Sequence, residues 1–213
     1  MIDWASFVTA HRLSRLEFGF NDMRPHNYED LVYNSIGLAG EVGEFISLLK
    51  RRAEARLEDS TVLLEKEMRE ELTDSFIYVI QLGAVLELDF GQQFKDQALA
   101  LKKISDTSYN GLVVDSLSLS SAAGEYMNLL KKVIRSQRYG KLKRGEKLES
   151  LKAQLREQLV SVLAHVFLVG RILEVDFEKQ YNANSQKFFD NFSSNPKPLT
   201  LSENIDEHAS VEF

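Results

Sequence analysis

Cysteine is absent from the 213-residue chain. That excludes disulfides, thiolate metal sites and cysteine nucleophiles, and it fits a cytoplasmic location. Proline is scarce, with three residues at 25, 196 and 198, so residues 27 to about 190 contain none. Because proline interrupts helices, its absence over that span favours them. No run approaches the roughly eighteen uninterrupted apolar residues that a membrane helix needs, and Met1 begins no signal-peptide pattern, so no membrane partner is expected. An excess of basic charge is also lacking: 26 Lys and Arg stand against 32 Asp and Glu, for a net charge of -6. A nucleic-acid polymer is therefore excluded as a general partner, since phosphate contacts need a basic face. What is there, 44% hydrophobic and 27% charged residues, is the composition of a soluble globular protein with enough chain for a real core.

The apolar residues recur at helical spacing. A first helix is predicted from Asp3 to about Glu17, followed by a break over Gly19 to His26. Asn27 then reads as an N-cap, with Asp30 in the first turn of a helix reaching about Ala53. Its stripe is Leu31, Leu38, Val42, Phe45 and Leu49. Asp59 or Ser60 is expected to cap the next helix, which reaches about Leu88 on a stripe of Leu64, Met68, Leu72, Phe76, Val79, Gly83 and Leu86. A shorter helix over about Phe90 to Ile104 is expected to end before a turn at Asn110-Gly111. No segment alternates with the period of a strand, so the fold class is all-α.

The second half repeats the first. Leu38-Ala39-Gly40-Glu41 is echoed by Ala122-Ala123-Gly124-Glu125, at an offset of 84. Between 69–90 and 156–177, at an offset of 87, nine of 22 aligned positions are identical, among them Arg69/Arg156, Gly83/Gly170, Glu87/Glu174, Asp89/Asp176 and Phe90/Phe177. Two unrelated amphipathic helices share apolar positions but not Gly, Asp-Phe and Arg-Glu in register. The expected organisation is a helical bundle in residues 1–192, built from two copies of a helical hairpin, about 20–105 and about 112–190, related by a pseudo-twofold. A polar tail follows over 193–213.

The chemistry is concentrated in four carboxylates, Glu41 and Glu44, then Glu71 and Asp74. A step of three residues turns a helix by roughly 300°, so each pair projects from one face. Two such pairs facing each other gather four oxygen ligands, and burying that much like charge is costly unless a cation neutralises it. Carboxylates are hard ligands suited to Mg²⁺ or Mn²⁺. In the second copy Glu41 survives as Glu125, but Glu44 becomes Asn128, Glu71 becomes Gln158 and Asp74 becomes Ser161. Three ligands are lost while the core pattern stays, which reads as one metal site per chain and a structural or substrate-shaping second copy. The plainer reading of the four acids is a solvated helix face.

Glu-x-x-Glu, 26 residues, then Glu-x-x-Asp resembles the motif of the MazG-type all-α nucleotide pyrophosphohydrolases, and Gly37-Leu38-Ala39-Gly40-Glu41-Val42-Gly43-Glu44 is similar to that family's first motif almost letter for letter. The likeness covers the first copy closely and the second in degenerate form. It implies Mg²⁺-dependent hydrolysis of an NTP or dNTP to the monophosphate and pyrophosphate, with Glu41, Glu44, Glu71 and Asp74 as metal-binding and catalytic residues and one glutamate as a candidate general base. Family members associate through helical faces, so either a homodimer or a monomeric pseudo-dimer is expected.

Further residues have both a functional and a plainer reading. Tyr78, one turn beyond Asp74, sits where an aromatic contacts the nucleotide in the family, or is a core ring with its hydroxyl at the rim. Lys50 and Arg51 reach phosphates or are ordinary helix-end cations. Tyr181-Asn182-Ala183-Asn184-Ser185-Gln186-Lys187-Phe188 resembles an Asn and Lys-Phe signature of the family, yet lies in the degenerate copy. Asn184 and Lys187 are substrate contacts across the pseudo-twofold on one reading and helix-surface residues on the other. Residues 131–144 carry Lys131, Lys132, Arg135, Arg138, Lys141, Lys143 and Arg144 without an acid, which is a funnel for polyphosphate or a solvated face. Trp4, Phe20, His26 and Asn27 are candidates for a base pocket, and His165 reads as a hydrogen-bonded core residue.

Within the enzyme reading, dUTPase-like, dCTPase-like and phosphoribosyl-ATP pyrophosphohydrolase specificities share the same metal logic. A di-iron bundle needs Glu-x-x-His pairs, and none of the four histidines stands three residues after a glutamate. A non-catalytic helical scaffold is the reading from another class, and it predicts neither Mg²⁺ binding nor nucleotide turnover.

Overall fold

The apolar stripes place the helices. In the computed structural model, which describes residues 28–55, 58–88, 106–140, 147–177 and 179–180, four helices form: α1 (Tyr28–Glu54), α2 (Glu58–Val85), α3 (Tyr109–Tyr139) and α4 (Leu148–Ile172). No strand occurs among the described residues. Every residue of the two predicted stripes is buried, from Leu31, Leu38, Val42, Phe45 and Leu49 on α1 to Leu64, Met68, Leu72, Phe76, Val79, Gly83 and Leu86 on and just beyond α2. Their opposite faces carry the charge, so burial of one stripe against another fixes each helix's rotation about its axis.

α1 pairs with α2 and α3 with α4 as hairpins, and the hairpins pack α1 on α3 and α2 on α4. Near the first turn Arg52 holds Glu65 through a short ion pair and lies 4.5 Å over the Tyr109 ring, tying α1, α2 and α3 together. Phe76, Phe167 and Phe177 close the centre between α2 and α4, with ring centroids 4.9 to 5.8 Å apart.

The two copies are related in three dimensions as the repeats imply. Arg69 Nε donates to the Leu173 carbonyl at 2.7 Å, and its counterpart Arg156 Nε donates to the Leu86 carbonyl at 3.0 Å. Exchanging the copies maps one bond onto the other. Both helix ends also close alike: Leu88 N–H donates to Gly83 O at 2.8 Å and Val175 N–H to Gly170 O at 2.7 Å, around Glu87 and Glu174, each at φ 54°. That is a left-handed helix cap, built here on glutamate rather than glycine. On the other pair of helices Ser35 Oγ lies 3.0 Å from the Tyr126 hydroxyl in the core. Burial holds the Tyr126 hydroxyl far from ionising, which the Ser35 bond only partly offsets.

Three local expectations are corrected. Asp59 and Ser60 lie inside the first turn of α2, which begins at Glu58, rather than capping it. Asn110-Gly111 does not end a helix but opens α3: Ser108 is the N-cap, its hydroxyl accepting from Gly111 N–H at 3.2 Å. A Cβ at Gly111 would collide with the Asp106 carbonyl, so the glycine serves the chain's close return across that first turn. His165 is half-buried but its Nδ1 has no hydrogen-bond partner, and burial lowers its pKa against the pull of Asp115.

The predicted helices over Asp3 to Glu17 and Phe90 to Ile104 lie outside the described residues, as do the 193–213 tail, Trp4, Phe20, His26, Asn27, Lys141, Lys143, Arg144, Asn184, Lys187 and the side chain of Arg138. No helix among the described residues is long and apolar enough to cross a membrane.

Candidate metal centre

Glu41 and Glu44 project from the middle of α1, Glu71 and Asp74 from the facing stretch of α2. The neighbours on either side are core residues, Leu38, Val42 and Phe45 on one helix and Leu72, Thr73, Ser75 and Phe76 on the other. Turning these inward leaves the acids at the seam. Thr73 is satisfied within this part of α2, donating from its hydroxyl to Arg69 O at 2.8 Å and sitting in short hydrogen-bond contact with Gln180.

Glu41, Glu44 and Glu71 each offer a carboxylate oxygen, and the three oxygens lie within 4.8 Å of one another. Two oxygens bound to one Mg²⁺ at about 2.1 Å are roughly 3.0 Å apart when adjacent and about 4.2 Å apart when opposite. The observed spread therefore needs only small side-chain rotations to close on a single ion. Asp74 stands at the edge of this triad, where its charge acts on both Glu41 and Tyr78.

The electrostatics mark Glu41 as the centre. Its pKa is pushed up to about 8, first by burial, then by its hydrogen bond to Glu71, then by the charges of Asp74, Glu71 and Glu44. A protonated Glu41 donates to the Glu71 carboxylate, so one proton holds the like charges together. A divalent cation would take over that task with more charge. Glu44 is exposed while Glu41, Glu71 and Asp74 are partly covered, so the cluster is open on one side.

Tyr78 adjoins the cluster. Its pKa is raised first by burial and then by the nearby Tyr33, Glu41 and Asp74. The ring lies against α1 at Gly37, where a Cβ would overlap it. Tyr33 is 69% exposed. Tyr33 is a residue that sequence reasoning passed over, although Tyr33, Gly37 and Glu41 follow at steps of four, the spacing that shares a helix face.

The other candidates sit elsewhere or are already paired. Lys50 Nζ lies 4.0 Å from Glu54, and Arg51 3.6 Å from Glu67. Lys131, Lys132 and Arg135 lie on α3 beyond Tyr126, toward the start of α1. At about 1.5 Å per residue this sets Lys131 roughly 16 Å and Arg135 roughly 22 Å along the axis from Glu41.

The equivalent place between α3 and α4 is a cleft of about 520 Å³ lined by Glu125, Asn128, Leu129, Gln154, Glu157, Gln158 and Ser161. All four positions that answer to the carboxylates line it. Gln158 Nε2 donates to Ala122 O at 3.2 Å, bridging the two helices. Among the described residues only the first copy gathers three metal-ligating groups. No family model matches the chain, and neither does any curated protein or solved structure.

Proposed function

We propose that the chain is a Mg²⁺- or Mn²⁺-dependent nucleotide pyrophosphohydrolase of the MazG type, cleaving an NTP or dNTP to the monophosphate and pyrophosphate. The observation that carries this reading is the approach of Glu41, Glu44 and Glu71 to within 4.8 Å from two different helices. Four acids at one seam suit a hard cation bridging protein and phosphate better than they suit any organic ligand. When bound, that cation neutralises phosphate charge and polarises the scissile P–O bond. Glu41, Glu44, Glu71 and Asp74 would hold it, and one of the glutamates would accept the proton of the attacking water. As the water oxygen bonds to the α- or the β-phosphorus, the P–O bond that bridges the two breaks, and the departing pyrophosphate or monophosphate takes the electron pair. Tyr78, seated on Gly37 with Tyr33 beside it, offers an aromatic surface next to the acids for the base.

The test is a panel of NTPs and dNTPs incubated with Mg²⁺ or Mn²⁺, with products resolved by chromatography. Monophosphate plus pyrophosphate is expected. Diphosphate plus orthophosphate moves the cleavage point and overturns the assigned reaction. Glu71→Gln, which imitates Gln158, is expected to abolish turnover with an unchanged helical CD spectrum. Turnover that persists in this variant overturns the ligand assignment, and a chain that neither binds Mn²⁺ nor turns over any nucleotide is a scaffold.

A further inference from the structure

Beside the acids, α2 buries a hydroxyl that nothing in the fold answers. Ser75 follows Asp74, is 0% exposed, and its Oγ has no hydrogen-bond partner among the described residues. A hydroxyl taken out of water without a partner is destabilising, so its presence calls for a reason. The usual local bond is not made. Core hydroxyls on these helices donate to the carbonyl four residues back: Ser35 to Leu31 O at 2.6 Å, Thr73 to Arg69 O at 2.8 Å and Ser116 to Leu112 O at 2.6 Å. The Ser75 hydroxyl does not bond the Glu71 carbonyl in this way.

The place of Ser75 on the helix directs it to the acids instead. Glu71 and Ser75 stand four residues apart, the spacing at which helical side chains meet, and a helical side chain leans back over the preceding turn. Ser75 therefore leans toward Glu71. The same spacing carries a side-chain bond on α4, where Gln154 Nε2 donates to Ser150 Oγ at 3.3 Å. Glu71 is one of the three glutamates whose carboxylate oxygens lie within 4.8 Å of one another. A carboxylate that binds a cation through one oxygen keeps the other for an outer donor, and such donors orient metal ligands.

The second copy supplies the contrast. Ser75 answers to Val162, at the same offset of 87 that turns Glu71 into Gln158 and Asp74 into Ser161. Val162 is also 0% exposed, so this position of the repeated helix packs well with an apolar side chain. The hydroxyl stands in the copy that has the carboxylates and is gone from the copy that has lost them. Packing alone does not call for it.

We propose that Ser75 is a positioning residue of the metal centre, its hydroxyl donating to the Glu71 carboxylate and fixing that ligand for a divalent cation. The inference rests on the reading of the four acids as a metal site and extends it to a buried residue that touches neither cation nor nucleotide.

Two measurements on the full chain test it: Mn²⁺ affinity by EPR titration and the melting temperature in EDTA by CD. Ser75→Ala is expected to weaken Mn²⁺ binding about tenfold. Its melting temperature in EDTA is expected to equal or exceed that of wild type, because the hydroxyl it removes has no partner. Ser35→Ala is expected to do the opposite, lowering the melting temperature by depriving Tyr126 of its contact while Mn²⁺ affinity stays at wild type. Wild-type Mn²⁺ affinity in Ser75→Ala overturns the proposal and leaves the metal centre standing. Weaker Mn²⁺ binding accompanied by a lower melting temperature in EDTA assigns Ser75 to packing and also overturns it. A wild-type chain that binds no Mn²⁺ overturns the metal centre, and this inference with it.

Discussion

Glu41 holds a proton that the unfolded chain releases at far lower pH, because burial and three neighbouring acids raise its pKa to about 8. The sign follows from linkage: between the ordinary carboxylate range and about 8 the native state binds more protons than the unfolded one, so stability falls as pH rises. In EDTA the melting temperature is therefore expected to decline from about pH 5 to about pH 8. Mg²⁺ should restore it and release a proton. Glu41→Gln keeps a donor toward Glu71 but cannot ionise, so its melting temperature should be flatter over that window. An identical slope in wild type and Glu41→Gln would place the pH dependence elsewhere. Gly37 acts at the same scale by omission. With a methyl group there the Tyr78 ring must leave its seat on α1, an overpacking that costs about 1–3 kcal/mol. Gly37→Ala is expected to lower kcat/KM roughly tenfold while Mn²⁺ affinity, which depends on the acids, stays near wild type. Wild-type kcat/KM in this variant would remove Tyr78 from substrate positioning.

Between elements, the two arginines carry the symmetry. Arg69 and Arg156 each cap the far end of the other copy's second helix, satisfying carbonyls left open there. Each charged, partly buried bond is worth about 1.5–3 kcal/mol. Arg69→Ala and Arg156→Ala are expected to lose comparable stability in urea unfolding. Because the two bonds lie roughly 25 Å apart along α2, the double variant should show the sum. A large difference between the single variants would mean that only one copy depends on its cap. Stripes and repeats of this kind are legible in sequence because burial imposes a period on every turn, which is why α1 and α2 match their predicted faces. Caps are a different matter. Asn110-Gly111 looks like a turn wherever it stands, and only the backbone return over Asp106 makes it a helix start. Asp59 and Ser60 have capping side chains, but α2 begins one residue earlier. The acids of the site were readable because three-residue spacing and the altered second copy both point to them. Tyr33 was not, since its approach to Tyr78 depends on the register between α1 and α2.

At the scale of the whole molecule, one duplicated hairpin has two clefts with different charge. The first gathers Glu41, Glu44, Glu71 and Asp74; the second presents Glu125, Asn128, Gln158 and Ser161 at the same positions. The backbone is shared, as the matching left-handed caps at Glu87 and Glu174 and the reciprocal arginine bonds require. If ligand geometry is set by that backbone, only side-chain chemistry separates a metal site from a cleft that keeps one of the four carboxylates, Glu125. Asn128→Glu/Gln158→Glu/Ser161→Asp should then create a second Mn²⁺ site. The new glutamate at 158 gives up the bond to Ala122 O, so its site should be weaker than the first by about tenfold. EPR titration is expected to count two ions per chain in the triple variant and one in wild type. The added site should disappear when Glu125→Gln is introduced, because Glu125 completes the set. A count that stays at one, with helical CD retained, would show that the pseudo-twofold relates the cores of the two hairpins but not the directions of their seam residues.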